Sequence, residues 1–192
     1  MAGKTLGLLG LVAVLTGAAM ADEPNGTDYA RRGWYVGGGA TYAFEQFPDH
    51  HDLKVDDSPG FKVLGGYRVL PNLAAELDVD YLHGFDVQVD GYDAAHIRGV
   101  ATTVNGKGYL ATGRVQPYGV AGIGGLYVAG LDASLHNVLG VNGGFLTRFG
   151  GGLDLYATEH VVLNAEATYD LPTGRVSDLR FVPLTIGAQY RF

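Results

Sequence analysis

The stretch Thr185-Ile-Gly-Ala-Gln-Tyr-Arg-Phe192 decides the fold of this chain. Side chains on a strand alternate between its two faces, so alternate residues of this stretch share a face. The apolar face carries Ile186, Ala188, Tyr190 and Phe192, and the polar face carries Thr185, Gly187, Gln189 and Arg191. This pattern, ending on an aromatic residue, is typical of a strand between lipid and a polar lumen. On a soluble domain, an exposed strand of this kind would invite edge pairing.

The first 21 residues have the pattern of a cleaved Sec signal peptide. Lys4 supplies a positive start, Leu6 to Leu15 form an apolar stretch, and Ala19-Met20-Ala21 is an A-x-A cleavage site. An uncleaved membrane anchor is the alternative, which the shortness of the apolar stretch disfavours. We therefore expect cleavage after residue 21.

The composition of residues 22–192 indicates a single all-β domain, with strands from about residue 33 onward. No apolar run reaches the roughly 18 residues that a transmembrane helix needs. The 31 Gly and 12 Tyr favour strands over helices. The chain has no Cys, which excludes disulfides, thiolate metal sites and Cys nucleophiles. Its 20 acidic residues outnumber its 13 basic ones, which argues against nucleic acid as a partner.

Eight segments alternate with period two, and their charges recur at even spacings, which excludes helices. In the strongest segment, Leu73 to Tyr81, apolar residues oppose Glu76, Asp78 and Asp80. The fifth segment, Tyr118 to Val128, has no charged residue. We predict that its apolar, lipid-facing side carries Tyr118, Val120, Leu126 and Val128, and that the opposite side carries Gly119, Ala121 and Tyr127. The other segments are 34–44, 61–69, 99–110, 145–155, 161–169 and the C-terminal strand.

The connections between these segments alternate in length. The short ones are Pro71-Asn72, Ala111 to Pro117 and Thr158 to His160; the longer ones are Gln46 to Gly60, Leu82 to Arg98, Ala129 to Gly144 and Asp170 to Arg180. Short periplasmic turns and longer extracellular loops alternate in this way in outer-membrane barrels. A soluble lipocalin-type barrel is the alternative, with apolar residues inside. The signal peptide, loop asymmetry and terminal aromatic favour an eight-stranded antiparallel up-and-down transmembrane β-barrel with four longer extracellular loops.

Alternation, loops and C-terminal stretch together resemble the small OmpA/OmpX-like outer-membrane β-barrel proteins, also grouped as porin-family proteins. The resemblance is carried by residues 33–40, 75–81, 116–124 and the last strand. In that strand, the positions of the family's assembly signal are filled by Thr185, Gly187, Tyr190 and Phe192. The resemblance implies a place in the bacterial outer membrane among lipid and lipopolysaccharide. It also implies the barrel-assembly machinery and periplasmic chaperones as partners.

The same phasing places mixed charges in the lumen. They are Glu45, Lys62, Arg68, Glu76, Asp78, Asp80, Lys107, Arg148, Asp154, Glu166 and Arg191. Isolated charges in a narrow lumen are costly, so we expect a network in which Arg68, Lys107 and Arg148 pair with Glu76, Asp78 and Glu166. Side chains can fill an eight-stranded barrel, which predicts a plugged lumen. A proton or ion path is the functional alternative.

The sequence gives little support to enzyme, metal or nucleotide sites. Ser134 and His136 could share a strand face as nucleophile and base, but no acid is implied as their partner. Asp49-His-His-Asp52, with Asp56 and Asp57, could bind a metal but lacks regular ligand spacing. Gly122-x-Gly124 has Tyr127 where a nucleotide loop needs its third Gly. We expect no catalytic residue, cofactor or metal.

We therefore expect a small non-enzymatic outer-membrane protein that supports membrane integrity and displays loops to host surfaces, phage or other ligands. One alternative is a channel for small solutes or hydrophobic compounds. Another is a lipid-A-modifying enzyme, for which a polar pocket containing His136 or His83 would be the mark.

Overall fold

The computed structural model describes residues 28–45, 54–55, 58–89, 92–132, 138–173 and 180–192. These residues form nine strands: β1 (Gly33–Glu45), β2 (Lys54–Val55), β3 (Ser58–Leu70), β4 (Leu73–Val89), β5 (Tyr92–Tyr109), β6 (Val115–Asp132), β7 (Val138–Tyr156), β8 (Val161–Pro172) and β9 (Phe181–Arg191). The predicted signal peptide lies outside them. In the described part of the chain, no helix is long and apolar enough to cross a membrane.

Eight long strands close into an up-and-down barrel in which every pairing is antiparallel. β1 pairs with β3 on one side and with the last strand, β9, on the other. The two-residue strand β2 only extends the edge of β4. The predicted eight-stranded barrel is therefore confirmed.

The outward face of the wall is an aliphatic band between two aromatic belts. The belt at the end where the chain makes its short turns contains Trp34, Tyr67, Tyr190 and Phe192. The belt at the other end contains Tyr42, Phe61, Tyr81, Tyr127, Phe145 and Tyr169. Such belts mark the two membrane–water interfaces of a barrel. We call the two ends of the barrel the turn end and the loop end.

Strands at the loop end run further than predicted. β4 continues to Val89 and β5 starts at Tyr92, so most of the predicted loop 82–98 is a paired hairpin with Phe85 opposite Ile97. Most of the predicted loop 129–144 likewise belongs to β6 and β7. Beyond the membrane both faces of a hairpin meet water. The period-two signal therefore fades while backbone pairing continues.

The fifth predicted segment, now part of β6, faces opposite to its predicted direction. Tyr118, Val120 and Leu126 are buried in the lumen, whereas Tyr127 is 59% exposed on the outer face. The side chain of Val128 is not among those that the structure describes. Without a charge to fix the phase, side-chain size was the only guide. In a narrow barrel, large apolar side chains also fill the interior.

Candidate functional site

Arg148 of β7 organises the lumen near the loop end. Its Nε and Nη2 donate to the two carboxylate oxygens of Asp170 at 2.8 and 2.7 Å, a bidentate pair. Its Nη1 lies 2.8 Å from Asp80 Oδ2 and 3.4 Å from Asp78 Oδ2. One buried guanidinium therefore holds three carboxylates from two strands, β4 and β8.

Two lysines extend this group toward the turn end. Lys62 Nζ donates to Glu166 Oε1 at 2.6 Å and to Asp78 Oδ2 at 3.1 Å. Lys107 Nζ lies 2.8 Å from Glu76 Oε1 and 3.4 Å from Glu166 Oε2. Glu166 thus joins the two ammonium groups. The result is a continuous ion-pair network made of Lys62, Glu76, Asp78, Asp80, Lys107, Arg148, Glu166 and Asp170.

Five of the six residues named for the lumen network come together, and Arg68 does not. Arg68 is buried in the lumen but donates to neutral acceptors: Gln116 Oε1 at 2.6 Å, Tyr156 OH at 3.3 Å and the carbonyl of Pro71. The strand register sets Arg68 opposite Ala74, one inward position nearer the turn end than Glu76. Turn carbonyls are its neighbours there, so the predicted pairing of Arg68 with a carboxylate was wrong.

Sequence reasoning missed one member of the network and underused two. The sequence predicts a loop at Asp170, yet this residue continues the inward alternation of Asn164, Glu166 and Thr168 along β8. That period-two signal could have identified it. The sequence predicts Lys62 and Asp80 in the lumen but does not predict their partners, because alternation gives the face of a residue and not its neighbour across the barrel.

An apolar layer covers the network at the loop end. It consists of Ala43, Leu82, Ala101, Leu126, Leu146 and Phe181, all at most 4% exposed. Leu82 and Leu146 are the next inward positions after Asp80 and Arg148 on their strands. The layer therefore lies directly against the network. An ion that crossed it would lose its hydration.

The lumen toward the turn end is also filled. A second cluster contains Tyr35, Leu64, Ala74, Tyr109, Tyr118 and Val120. Tyr109 OH donates to Asp154 Oδ2 at 3.2 Å, and Tyr118 OH donates to Glu166 Oε2 at 2.9 Å. Aromatic hydroxyls therefore link this cluster to the lumen carboxylates, and apolar or aromatic material lies on both sides of the network.

The described part of the chain contains no group of three or more His, Asp or Glu placed to hold a metal ion. The candidate residues Ser134, His136 and 49–52, with Asp56 and Asp57, lie outside that part. His83 is exposed next to the ring of Tyr81 on the outer face, at 6.1 Å between ring centroids. It therefore does not face the lumen.

The four residues of the C-terminal motif divide between the two faces of β9. Thr185 points inward, and its Oγ1 lies 2.9 Å from Oγ1 of Thr41. A Cβ on Gly187 would meet the carbonyl oxygen of Gly38 at 2.4 Å, so only glycine fits there. Tyr190 and Phe192 point outward with ring centroids 5.3 Å apart. Recognition of this motif during assembly stays a prediction.

Comparison with known proteins agrees with this architecture. The family model of the outer membrane protein beta-barrel domain matches residues 8–192. No curated protein sequence matches the chain. The solved structure of Neisserial surface protein A has a TM-score of 0.63 at 16% identity, covering 83% of this chain and 97% of its own.

Two other solved structures show the same fold. OprG from Pseudomonas aeruginosa has a TM-score of 0.63 at 17% identity, covering 83% of this chain and 96% of its own. Ail, the attachment invasion locus protein of Yersinia pestis, has a TM-score of 0.59 at 16% identity, covering 84% of this chain and 100% of its own. From the family match and the closed barrel with its two aromatic belts, we conclude that the chain belongs to the outer membrane protein beta-barrel domain family and is a bacterial outer-membrane protein.

Proposed function

We propose that this protein is a non-enzymatic outer-membrane barrel without an open channel, which supports membrane integrity and presents a ligand-binding surface at its loop end. One observation carries the proposal: the apolar layer lies across the lumen directly against the ion-pair network. Every charged group of the network is already paired within the barrel. This mutual pairing supports a structural role for the network.

The surface at the loop end is formed by strands that extend beyond the membrane. On β4, eight residues follow Tyr81 of the aromatic belt before the strand ends at Val89. β5, β6 and β7 continue to a similar extent, whereas β8 and β1 end at Pro172 and Glu45. By the rule of short periplasmic turns, this end faces the outside of the cell. A protruding sheet on one side of the barrel supports a role in contacting external ligands.

The charge of the loop end as a whole favours one class of ligand. The connections between the long strands at the loop end contain six aspartates and three basic residues: Asp49, Asp52, Asp56, Asp57, Asp90 and Asp178, with Lys54, Arg175 and Arg180. Acidic surfaces steer cationic partners and repel polyanions. The structure of Ail was solved in complex with the heparin analogue sucrose octasulfate. For this chain we expect a basic protein surface as the ligand instead of a sulfated glycan.

Planar-bilayer recording tests the closed lumen. We expect the purified protein to insert at neutral pH without single-channel conductance. An open porin recorded in the same membranes is the positive control. Stable conductance steps would overturn the closed-barrel proposal.

Binding to intact cells tests the ligand class. Cells that display the protein should bind a labelled basic protein at low salt and should not bind heparin. A variant with Asp49, Asp52, Asp56 and Asp57 all changed to Asn should lose most of this binding, with surface display unchanged. Equal binding by this variant, or binding of heparin instead, would reject the proposed ligand.

A second function is favoured by an interruption in the wall. The β8–β9 pairing passes from Ala167 opposite Leu184 directly to Asp170 opposite Phe181, leaving the intervening pairs unformed around Pro183. Proline has no N–H for the ladder. This seam lies beside Phe181 of the apolar layer, where a hydrophobic compound could pass laterally. A disulfide joining Ala167→Cys to Leu184→Cys should reduce uptake of such a compound only if this second function holds.

A further inference from the structure

The segment that precedes β1, residues 28–32, lies against the lumen at the turn end; we call it the strap. Ala30 in its centre is 6% exposed, and its N–H donates to Asp28 Oδ1 at 2.9 Å. The ring of Tyr29 packs on the ring of Tyr156 with centroids 5.1 Å apart. Tyr156 is itself an inward residue of β7, 1% exposed.

The strap crosses the mouth of the barrel. β7 is three strands away from β1 around the wall, by way of β9 and β8. Arg31 also reaches the β7–β8 turn, where its Nη1 lies 3.8 Å from Glu159 Oε2. The chain then enters β1 through Gly33, whose φ of 156° is rare for residues with a side chain. The strap is thus anchored on both sides of the opening.

Arg191 ties the strap to the interior. Its Nη2 donates to the carbonyl oxygen of Arg31 at 2.7 Å, and its Nη1 donates to the hydroxyl of Tyr156. The same hydroxyl accepts a hydrogen bond from Arg68 at 3.3 Å. One guanidinium of the last strand therefore holds the strap backbone and the tyrosine on which the strap packs.

We propose that the strap is a latched cover of the periplasmic mouth, and that Arg191 is the latch. Arg191 belongs to β9, so the latch forms only when β9 has paired with β1. Closing of the wall and covering of the mouth are then one event. The cover keeps periplasmic solutes from the charged lumen, and the apolar layer keeps external solutes from it at the loop end.

A single introduced cysteine reports whether the mouth is covered, because the chain has no native cysteine. Val162 is fully buried, faces the lumen and pairs with Tyr156. In lipid nanodiscs, V162C should react slowly with a membrane-impermeant maleimide. Glu159→Cys, on the exposed turn nearby, gives the rate of an uncovered thiol.

Two substitutions should open the cover by different routes. Tyr29→Ala removes the ring contact and should raise the labelling rate of V162C roughly three- to tenfold, as expected for the loss of one aromatic pair. Arg191→Lys keeps the charge but loses the planar pair of donors, and should give a similar increase. Heat-dependent mobility on SDS gels shows in each case that the barrel is folded.

Two controls confine the effect to the mouth. Arg32→Ala alters an exposed strap residue and should leave the V162C rate unchanged. Ala101→Cys lies in the apolar layer and should stay unreactive in every background. During refolding, protection of V162C should appear together with the folded band.

The proposal is overturned if V162C reacts as fast as Glu159→Cys with the native strap, or if Tyr29→Ala leaves the rate unchanged. An increase with Tyr29→Ala and none with Arg191→Lys would reject Arg191 as the latch. Protection that lags behind the folded band would reject the coupling to closure.

Discussion

On β8, Leu163 and Glu166 are three residues apart and face opposite environments. Leu163 is 48% exposed on the outer face, where lipid chains replace any contact it loses. Glu166 is held by Lys62, Lys107 and the hydroxyl of Tyr118. The outer face thus requires only apolar character, whereas the inner face requires particular partners. Substitutions on the two faces should therefore differ in cost, and the predictions below test that difference.

The largest cost should follow loss of the central guanidinium. Arg148→Met leaves Asp170 buried without a cation and leaves Asp80 only the more distant Lys62 Nζ, at 3.9 Å, so we expect a loss of about 3–5 kcal/mol in the free energy of unfolding. Urea unfolding in phospholipid vesicles, followed by the fluorescence of Trp34, measures it. Adding Asp80→Asn and Asp170→Asn to this variant should recover part of the loss. An unchanged transition in Arg148→Met would show that the inner partners are dispensable.

The apolar layer and the lipid face offer a matched pair of leucines. Leu146→Ala opens a cavity in the layer and should cost about 2–5 kcal/mol, because neighbours relax only partly. Leu163→Ala should cost about 1 kcal/mol or less, since lipid fills the space. The same urea titration compares them. Equal costs would mean that the layer is not tightly packed.

A charged side chain on the lipid face should be poorly tolerated, although the same face accepts changes between apolar residues. Ile123, near the middle of β6, is 57% exposed to the membrane. Ile123→Arg should cost about 2–4 kcal/mol at this depth. Ile123→Leu is the control and should be close to neutral. A mild effect of the arginine would place Ile123 away from the hydrocarbon.

The smallest expected effect separates stability from assembly. Thr185→Val and Thr41→Val each break the hydrogen bond between the two hydroxyls and should each cost about 1 kcal/mol. If Thr185 also belongs to an assembly signal, only Thr185→Val should lower the amount of barrel inserted in cells. Equal insertion of the two variants would count against that role.

The sequence was sufficient for the number of strands and for the outer face of seven of them. Seven of the eight segments were phased by charges or by a clear aromatic pattern, since a charge on a barrel strand must point inward. β6 has no such charge between Val115 and Tyr127, and its phase was wrong. Alternation shows which face of a strand points inward only where at least one of its side chains, such as a charged one, is tolerated on a single face.

The inner contacts were less accessible to sequence reasoning. Glu166 meets Lys62 across the lumen, and Arg68 meets the turn at Pro71. These partners depend on the shift in register from strand to strand, which no single strand encodes. The apolar layer was missed for another reason: Leu82 lay in a stretch assigned to a loop, and Phe181 lay outside the part of the last strand whose faces were assigned.

The ion-pair network joins residues that are far apart along the chain. Lys62 and Glu166 are separated by 104 positions, and Arg148 and Asp78 by 70. A barrel that lacked β3 or β8 would therefore keep buried charges without counter-charges, at a cost that lipid cannot relieve. The network therefore makes the stability of the barrel depend on the presence of every strand that carries one of its charges.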